Sequence, residues 1–200
     1  MKKLDPEIYK LVREYALKLT RRGYVTAHGG NISVREGNSM WITRHGTSLE
    51  DVKREDMIGV YVDKPSDNDV IASTEAIVHK EIYKNSNNIV VMHAHPPYSV
   101  ALSFFYDEIV PPDAEGNHVM KRIPVVGGSP GSQELAENVS KALSKHLGVI
   151  VRGHGVFTAS RSIETAYHLI CIVEHSSEIF YLIEIMKLCY GGKFIKPKEF

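Results

Sequence analysis

The sequence predicts a single α/β domain over residues 1–200, with a mixed central β-sheet covered by helices. Three observations predict it. Helical and strand-like stretches alternate irregularly along the chain. The strand-like runs are short and rich in β-branched residues. The 200 residues are 43% hydrophobic and 24% charged, the size and balance of one domain with its own core.

Asp5-Pro6 is a helix start, with Asp as N-cap and Pro at the first position. Ile8, Leu11, Tyr15 and Leu19 keep helical spacing, and Gly23 stops the helix. Residues 26–31 read as a Gly-containing loop. Residues 32–34 and 40–43 read as strands joined by the turn Glu36-Gly37-Asn38, and 58–62 as a further strand. Ser73 or Thr74 is the expected cap of a helix through Ile77, Val78 and Ile82 to about Lys84.

Residues 89–92 are a β-branched apolar run, the pattern of a buried strand. Pro96 and Pro97 break it, and 98–105 looks helical. Ser132 opens a helix carrying Leu135, Val139 and Leu143. Residues 149–151 are a strand, Gly153-His154-Gly155 a tight turn, and 156–158 its continuation. Residues 162–190 form one long helix, apolar on most faces, expected to be buried partly against another subunit.

Composition narrows the function classes. Net charge is zero and the pI is about 7.2, so no nucleic-acid or membrane surface is expected, and anion recognition must be local. No apolar run reaches the roughly 18 residues of a membrane span, and MKKLDPEIYK lacks the apolar stretch of a secretory signal. The two cysteines, Cys171 and Cys189, are 18 residues apart in one helical pattern. That is about 27 Å along a helix, too far for a bridge. Free cysteines without a signal read as cytoplasmic. Histidine is abundant, at ten, and its placement carries the chemistry.

In Val91-Met92-His93-Ala94-His95-Pro96, successive strand side chains point to opposite faces, so His93 and His95 share one if the strand persists through them. The pair sits at the strand's carboxyl end, where α/β sheets commonly bind ligands. His154, between two glycines, is presented at a second strand end. Each element alone has a bland explanation, a polar strand mouth or a turn facing water. Together they give a three-nitrogen site with an open position, the pattern of catalytic zinc. Imidazole sites also accept cobalt, manganese or iron.

Ala72-Ser73-Thr74-Glu75 lies at a helix start, where free N–H groups and the positive helix end favour anions. Ser73 and Thr74 add hydroxyls, though simple capping explains them too. His79 lies one turn beyond Glu75 and reads as a packed residue. Gly29-Gly30-Asn31 and Arg44-His45-Gly46-Thr47 are loops whose amides can approach a phosphate, or plain turns around a hairpin.

In this order, Gly29-Gly30-Asn31-Ile32-Ser33, Ile42-Thr43-Arg44-His45-Gly46, Ser73-Thr74-Glu75 with His79, His93-Ala94-His95 and Gly153-His154-Gly155 resemble the class II aldolase and adducin family. The resemblance covers residues 29–155. It implies a zinc site of His93, His95 and His154, with Glu75 approaching the metal and serving as acid/base. It implies a phosphate pocket from Asn31, Gly46, Ser73 and Thr74, with Arg44 and His45 beside it. It further implies a homotetramer with active sites at subunit interfaces. The expected reaction is reversible cleavage of a ketose 1-phosphate to dihydroxyacetone phosphate and a short aldehyde such as lactaldehyde.

Two departures from the family pattern stand out. The usual T-P-x-G loop reads Thr43-Arg44-His45-Gly46, with a basic residue in place of proline. Bacterial aldolases of the family carry a catalytic tyrosine after the two histidines, and Pro112-Asp113-Ala114-Glu115-Gly116 has none. Glu115 is the candidate replacement, and Tyr190 resembles a C-terminal catalytic Tyr-Gly. Glu115 also occupies the segment where family dehydratases of methylthioribulose 1-phosphate carry a catalytic glutamate. Family 4-epimerases of L-ribulose 5-phosphate share the scaffold as well. Adducin-like interaction domains are expected to lose metal ligands, which this chain keeps.

Overall fold

The computed structural model describes residues 3–191. Its centre is an eight-stranded mixed sheet, in the spatial order β3-β2-β1-β4-β8-β7-β6-β5. The strands are β1 (Asn31–Glu36), β2 (Ser39–Thr43), β3 (Met57–Tyr61), β4 (Val90–Ala94), β5 (Glu108–Ile109), β6 (Ile123–Val126), β7 (Gly148–Val151) and β8 (Gly155–Ser160). Neighbours pair antiparallel except β6 with β7, which run parallel. The expected mixed sheet is therefore present.

Helices cover both faces. Alternation along the central strands decides which side chain goes where. Val90, Met92 and Ala94 of β4 join the core that includes Val12 and Leu19 of α1 (Pro6–Arg21) and Leu169 and Val173 of α6 (Ile163–Tyr190). Val91 points the other way, into the core with Val78 and Ile82 of α2 (Ala76–Lys84) and Leu135 and Val139 of α5 (Gln133–Leu143). His93, two residues on from Val91, shares this second face.

Local chemistry sets the ends. Asp5 accepts the Glu7 N–H at 2.8 Å, starting α1 as expected, a contact of about 1 kcal/mol. Ser132 and Ser162 cap α5 and α6 through Leu135 and Thr165. The α2 cap differs from the sequence reading. Glu75, not Ser73 or Thr74, occupies the N-cap position, with no side-chain capping bond. Its carboxylate is turned away toward His93, so the cap position has been given over to another contact. Ser73 instead accepts the Glu75 N–H at 3.3 Å.

Two strands and one α-helix escape the sequence reading. β5 is only two residues long, and β6 contains Pro124, which argues against a strand. The third, α4 (Ala114–Met120), is capped by Asp113 and has Gly116 in its interior. That glycine reads as a helix breaker. It is there because a Cβ at this position would lie 2.0 Å from Ser176 Oγ of α6. The predicted helix over 98–105 is the shorter α3 (Pro97–Leu102).

The long C-terminal helix is present, but it is buried only as far as Ser177. Beyond that, Tyr181, Leu182, Met186 and Leu188 are exposed. Cys171 and Cys189 are both free.

Candidate active site

The site lies where β4 ends and β8 begins, beside the start of α2. His93 is the penultimate residue of β4 and fully buried. His95 follows the strand end and is partly buried, as is His154 in the turn between β7 and β8. The strand does not persist to His95, yet the two rings meet. Ring centroids are 4.7 Å apart for His93–His95 and His93–His154, and 5.2 Å for His95–His154. The close convergence depends on Gly155. A Cβ there would fall 2.3 Å from the Ala94 carbonyl oxygen and 2.7 Å from both His93 Cε1 and His95 Cδ2.

The ring states follow from their partners. His93 Nδ1 lies 3.0 Å from the Val156 carbonyl oxygen. A carbonyl only accepts, so Nδ1 carries the proton and Nε2 presents its lone pair to the site. His95 Nε2 is 2.9 Å from that lone pair. Burial above all, and then the other two histidines, hold the His93 imidazole well below its ordinary pKa. His95 is lowered as well, mainly by burial and then by His154. Neutral imidazoles with inward lone pairs are the form that binds metal.

Glu75 completes the cluster. It is 4% exposed, with Oε2 at 3.1 Å from His93 Nε2 and Oε1 at 3.7 Å from His154 Nε2. Asn31 donates to Oε2 at 3.1 Å, from the β1 position paired with His93 across the sheet. Buried polar groups normally have partners. Among the described residues, Glu75 Oε1, His154 Nδ1 and Asn31 Oδ1 have no hydrogen-bond partner, a concentration of unmet polarity that suits a cation. The available ligand atoms of His93, His95 and His154 all lie within 4.8 Å of one another. The donor set therefore fits a divalent metal ion.

The histidines form one end of an open cleft of about 140 Å³. The other end is polar and open. Arg44, His45, Gly46, Thr47, Ser73 and Thr74 line it. Among the described residues, the backbone N–H groups of Gly46 and Thr74 donate to no protein group. The Thr47 hydroxyl is buried without a partner. Arg44 and His45 are exposed at the rim. Every phosphate-pocket residue expected from the sequence thus lines one cleft, together with the three histidines and Glu75.

Two residues of the cleft, Pro130 and His28, carry no signal in the sequence reading. His28, directly before Gly29-Gly30-Asn31, also lines the cleft, and its Nδ1 donates to the Gly46 carbonyl at 2.8 Å. It ties the two glycine loops together.

Two expected residues are not in the cleft. Glu115, in the first turn of α4, lies 3.6 Å from His168 on the surface. Tyr190 ends α6 and is 75% exposed. His79 is packed, as read. It is fully buried with Nδ1 2.7 Å from Ser33 Oγ.

Known proteins resemble this chain over most of its length. Residues 10–181 match the Class II Aldolase and Adducin N-terminal domain family. An L-fuculose phosphate aldolase of Methanococcus maripaludis (strain S2) is 32% identical, covering 83% of this chain and 92% of that protein. The solved structure of l-fuculose-1-phosphate aldolase from Thermus thermophilus superposes with a TM-score of 0.88 at 30% identity. The match covers 96% of this chain and 100% of the other. A methylthioribulose-1-phosphate dehydratase of Bacillus cereus (strain B4264) is 30% identical over 78% of this chain and 80% of its own.

Proposed function

This chain belongs to the class II aldolase and adducin N-terminal domain family, and we propose on that premise that it is a zinc-dependent aldolase. Its substrate is a ketose 1-phosphate of the L-fuculose 1-phosphate kind, cleaved reversibly to dihydroxyacetone phosphate and a short aldehyde such as lactaldehyde. One observation carries the reading. A buried carboxylate and three converging imidazoles share a cleft with unpaired amides and a hydroxyl that suit an anion, so a phosphorylated substrate tethered at one end reaches the metal end.

The chain's own groups divide the work. Gly46 N–H, Thr74 N–H and the hydroxyls of Thr47, Ser73 and Thr74 bind the phosphate, with Arg44 and His45 adding positive charge at the rim. Asn31 lines the same cleft and holds Glu75. That tethering supplies orientation and remote binding energy. His93, His95 and His154 hold the metal, with Glu75 beside it. Zinc is the default, and cobalt, manganese or iron suit the same nitrogens. A bound cation supplies Lewis-acid stabilisation of negative charge on substrate oxygens. Glu75 exchanges a proton with the substrate carbon chain, screened from bulk water by its burial.

Two further groups sit outside the cleft of their own chain. The exposed apolar end of α6 and the exposed Phe104 and Phe105 support assembly, which we read as a homotetramer in the cytoplasm with sites at subunit interfaces. In that assembly Glu115 or Tyr190 serves a neighbouring site. Glu115 and the dehydratase similarity favour a second reading, dehydration of methylthioribulose 1-phosphate.

The test is purified protein with L-fuculose 1-phosphate and coupled detection of dihydroxyacetone phosphate, with and without chelator. Chelator-sensitive release supports the aldolase. A dehydrated sugar from methylthioribulose 1-phosphate, with no triose phosphate from any ketose 1-phosphate, supports the second reading. His154→Ala is expected to abolish stoichiometric metal, and its retention refutes the ligand set.

A further inference from the structure

We propose that Glu174 of α6 is a positioning residue for the histidine site, because it anchors the turn from which His95 projects. The inference rests on reading the histidines as a metal site.

Glu174 is 2% exposed, and both its oxygens are engaged by the first turn of α3. Oε1 accepts the Tyr98 N–H at 2.8 Å. Oε2 accepts the Ser99 N–H at 2.9 Å and the Ser99 hydroxyl at 2.6 Å. The two N–H groups are among those a helix start leaves unpaired. The usual remedy is a local Ser, Thr, Asp or Asn at the N-cap. Here the N-cap is Pro96, which has no capping side chain, and Pro97 follows it. The cap is brought instead from a helix about 75 residues further along the chain. The turn is thereby fastened to α6 and not merely closed on itself.

The other side of the turn is fastened too. The His95 N–H donates to the Tyr24 carbonyl at 2.7 Å. Between that bond and the Glu174 bonds lie only Pro96 and Pro97, whose rings fix φ. Residues 95–99 therefore have few soft torsions, and the His95 imidazole leaves the chain from a clamped segment.

A carboxylate is an unfavourable group to bury in this space. Burial pushes Glu174 above its ordinary pKa despite the Ser99 and Tyr98 donors that pull it down. An apolar side chain would avoid that penalty but would leave the Tyr98 and Ser99 N–H groups unmet, with only the Ser99 hydroxyl able to turn to Ser177 Oγ at 3.1 Å. An amide would turn an N–H toward one of them. Of these groups, only a carboxylate accepts all three bonds at once. Groups that fix ligand orientation without touching the metal commonly govern its affinity.

The test uses full-length protein stripped of metal and titrated with Co2+ against a competing chelator. In Glu174→Gln, Co2+ affinity is expected to fall about 10- to 100-fold, with a changed visible band for the bound ion. Asp5→Ala removes the α1 cap, far along the chain from the histidines. It is expected to lower the Tm while leaving affinity and band unmoved. Unchanged Co2+ affinity and band in Glu174→Gln overturn the proposal, whatever happens to its Tm. If that variant does not fold, Ser99→Ala decides by the same two readouts, since it removes one bond of the three. A smaller shift in the same direction supports the proposal, and no shift overturns it. Wild-type protein that takes up no Co2+ overturns the metal reading, and this inference with it. Tight wild-type binding with unaltered variants overturns this inference alone.

Discussion

The Phe157 ring lies flat against His93, with centroids 4.0 Å apart and planes 16° from parallel. Both are fully buried, on adjacent strands, at registered positions of β4 and β8. One face of His93 is thus set by apolar packing, while its Nδ1–H is set by the neighbouring Val156 carbonyl. The pair couples core to site. Phe157→Ala is expected to cost about 3–5 kcal/mol of stability, the usual range for a buried Phe truncation. It is also expected to weaken metal uptake, because the His93 ring gains room to tilt. Urea unfolding and Co2+ titration check the two effects. A stability loss below about 1 kcal/mol, with uptake unaltered, would falsify the coupling.

Glu75→Gln separates binding from proton transfer. The remaining carbonyl oxygen of glutamine can still accept the Asn31 N–H that now reaches Oε2 at 3.1 Å, so the side chain is expected to stay in place. The three imidazoles are untouched, and metal content is expected to remain stoichiometric. Turnover is expected to fall at least ~10²-fold, the low end for loss of a general acid or base. A near-wild-type rate with full metal content removes Glu75 from the proton-transfer role.

His79 makes a pH prediction. Burial, its dominant influence, holds the imidazole at about 3, against an ordinary value of 6.5. The folded state therefore binds fewer protons than the unfolded state between those values. Stability from this group is fully present above about pH 6.5 and is lost as pH falls toward 3. Each fully engaged proton contributes a slope of about 1.4 kcal/mol per pH unit. In metal-free protein, His79→Leu is expected to flatten the fall in unfolding free energy between about pH 6 and 4 by roughly that slope. Urea titrations across that range measure it. An unaltered slope means that His79 is not what acid attacks.

The sequence is informative where periodicity is clean. His93 and His95 stand out because a β-branched run leads into them, and His154 because glycines flank it. The Gly, Ser-Thr and Arg-His loops are legible as parts of one cleft by their order along the chain. What stays hidden depends on contacts between distant segments. Gly116 looks like a helix breaker until Ser176 is seen against it. By its spacing Glu75 looks like a first-turn acid; the resemblance expects it near the histidines, and the fold shows its carboxylate turned to His93. His28 gives no signal, since its partner is the Gly46 carbonyl, 18 residues later. Nothing in the local sequence marks Glu174 as the cap of a turn that begins at Pro96.

Arg44 is the chain's own departure at the proposed phosphate cradle, and it tests how a phosphate would be held there. Its backbone N–H is committed to the Asp56 carbonyl at 2.7 Å. Its guanidinium is exposed at the cleft, with one nitrogen 3.5 Å from the Glu55 carbonyl oxygen, too long for a strong bond. The backbone role is kept by any residue except proline, so Arg44→Ala isolates the charge. A charge-assisted contact of about 1.5–3 kcal/mol corresponds to a KM increase of roughly 10- to 100-fold for the phosphorylated substrate. Little change in kcat is expected, because the interaction is the same in ground and transition states. Added salt should shrink the difference between wild type and variant, since the group is exposed. Arg44→Lys is expected to recover only part of the loss, because a point charge cannot reproduce a bidentate fork. If KM is unmoved at low salt, phosphate is held by the backbone amides and hydroxyls alone, and Arg44 has no part in recognition.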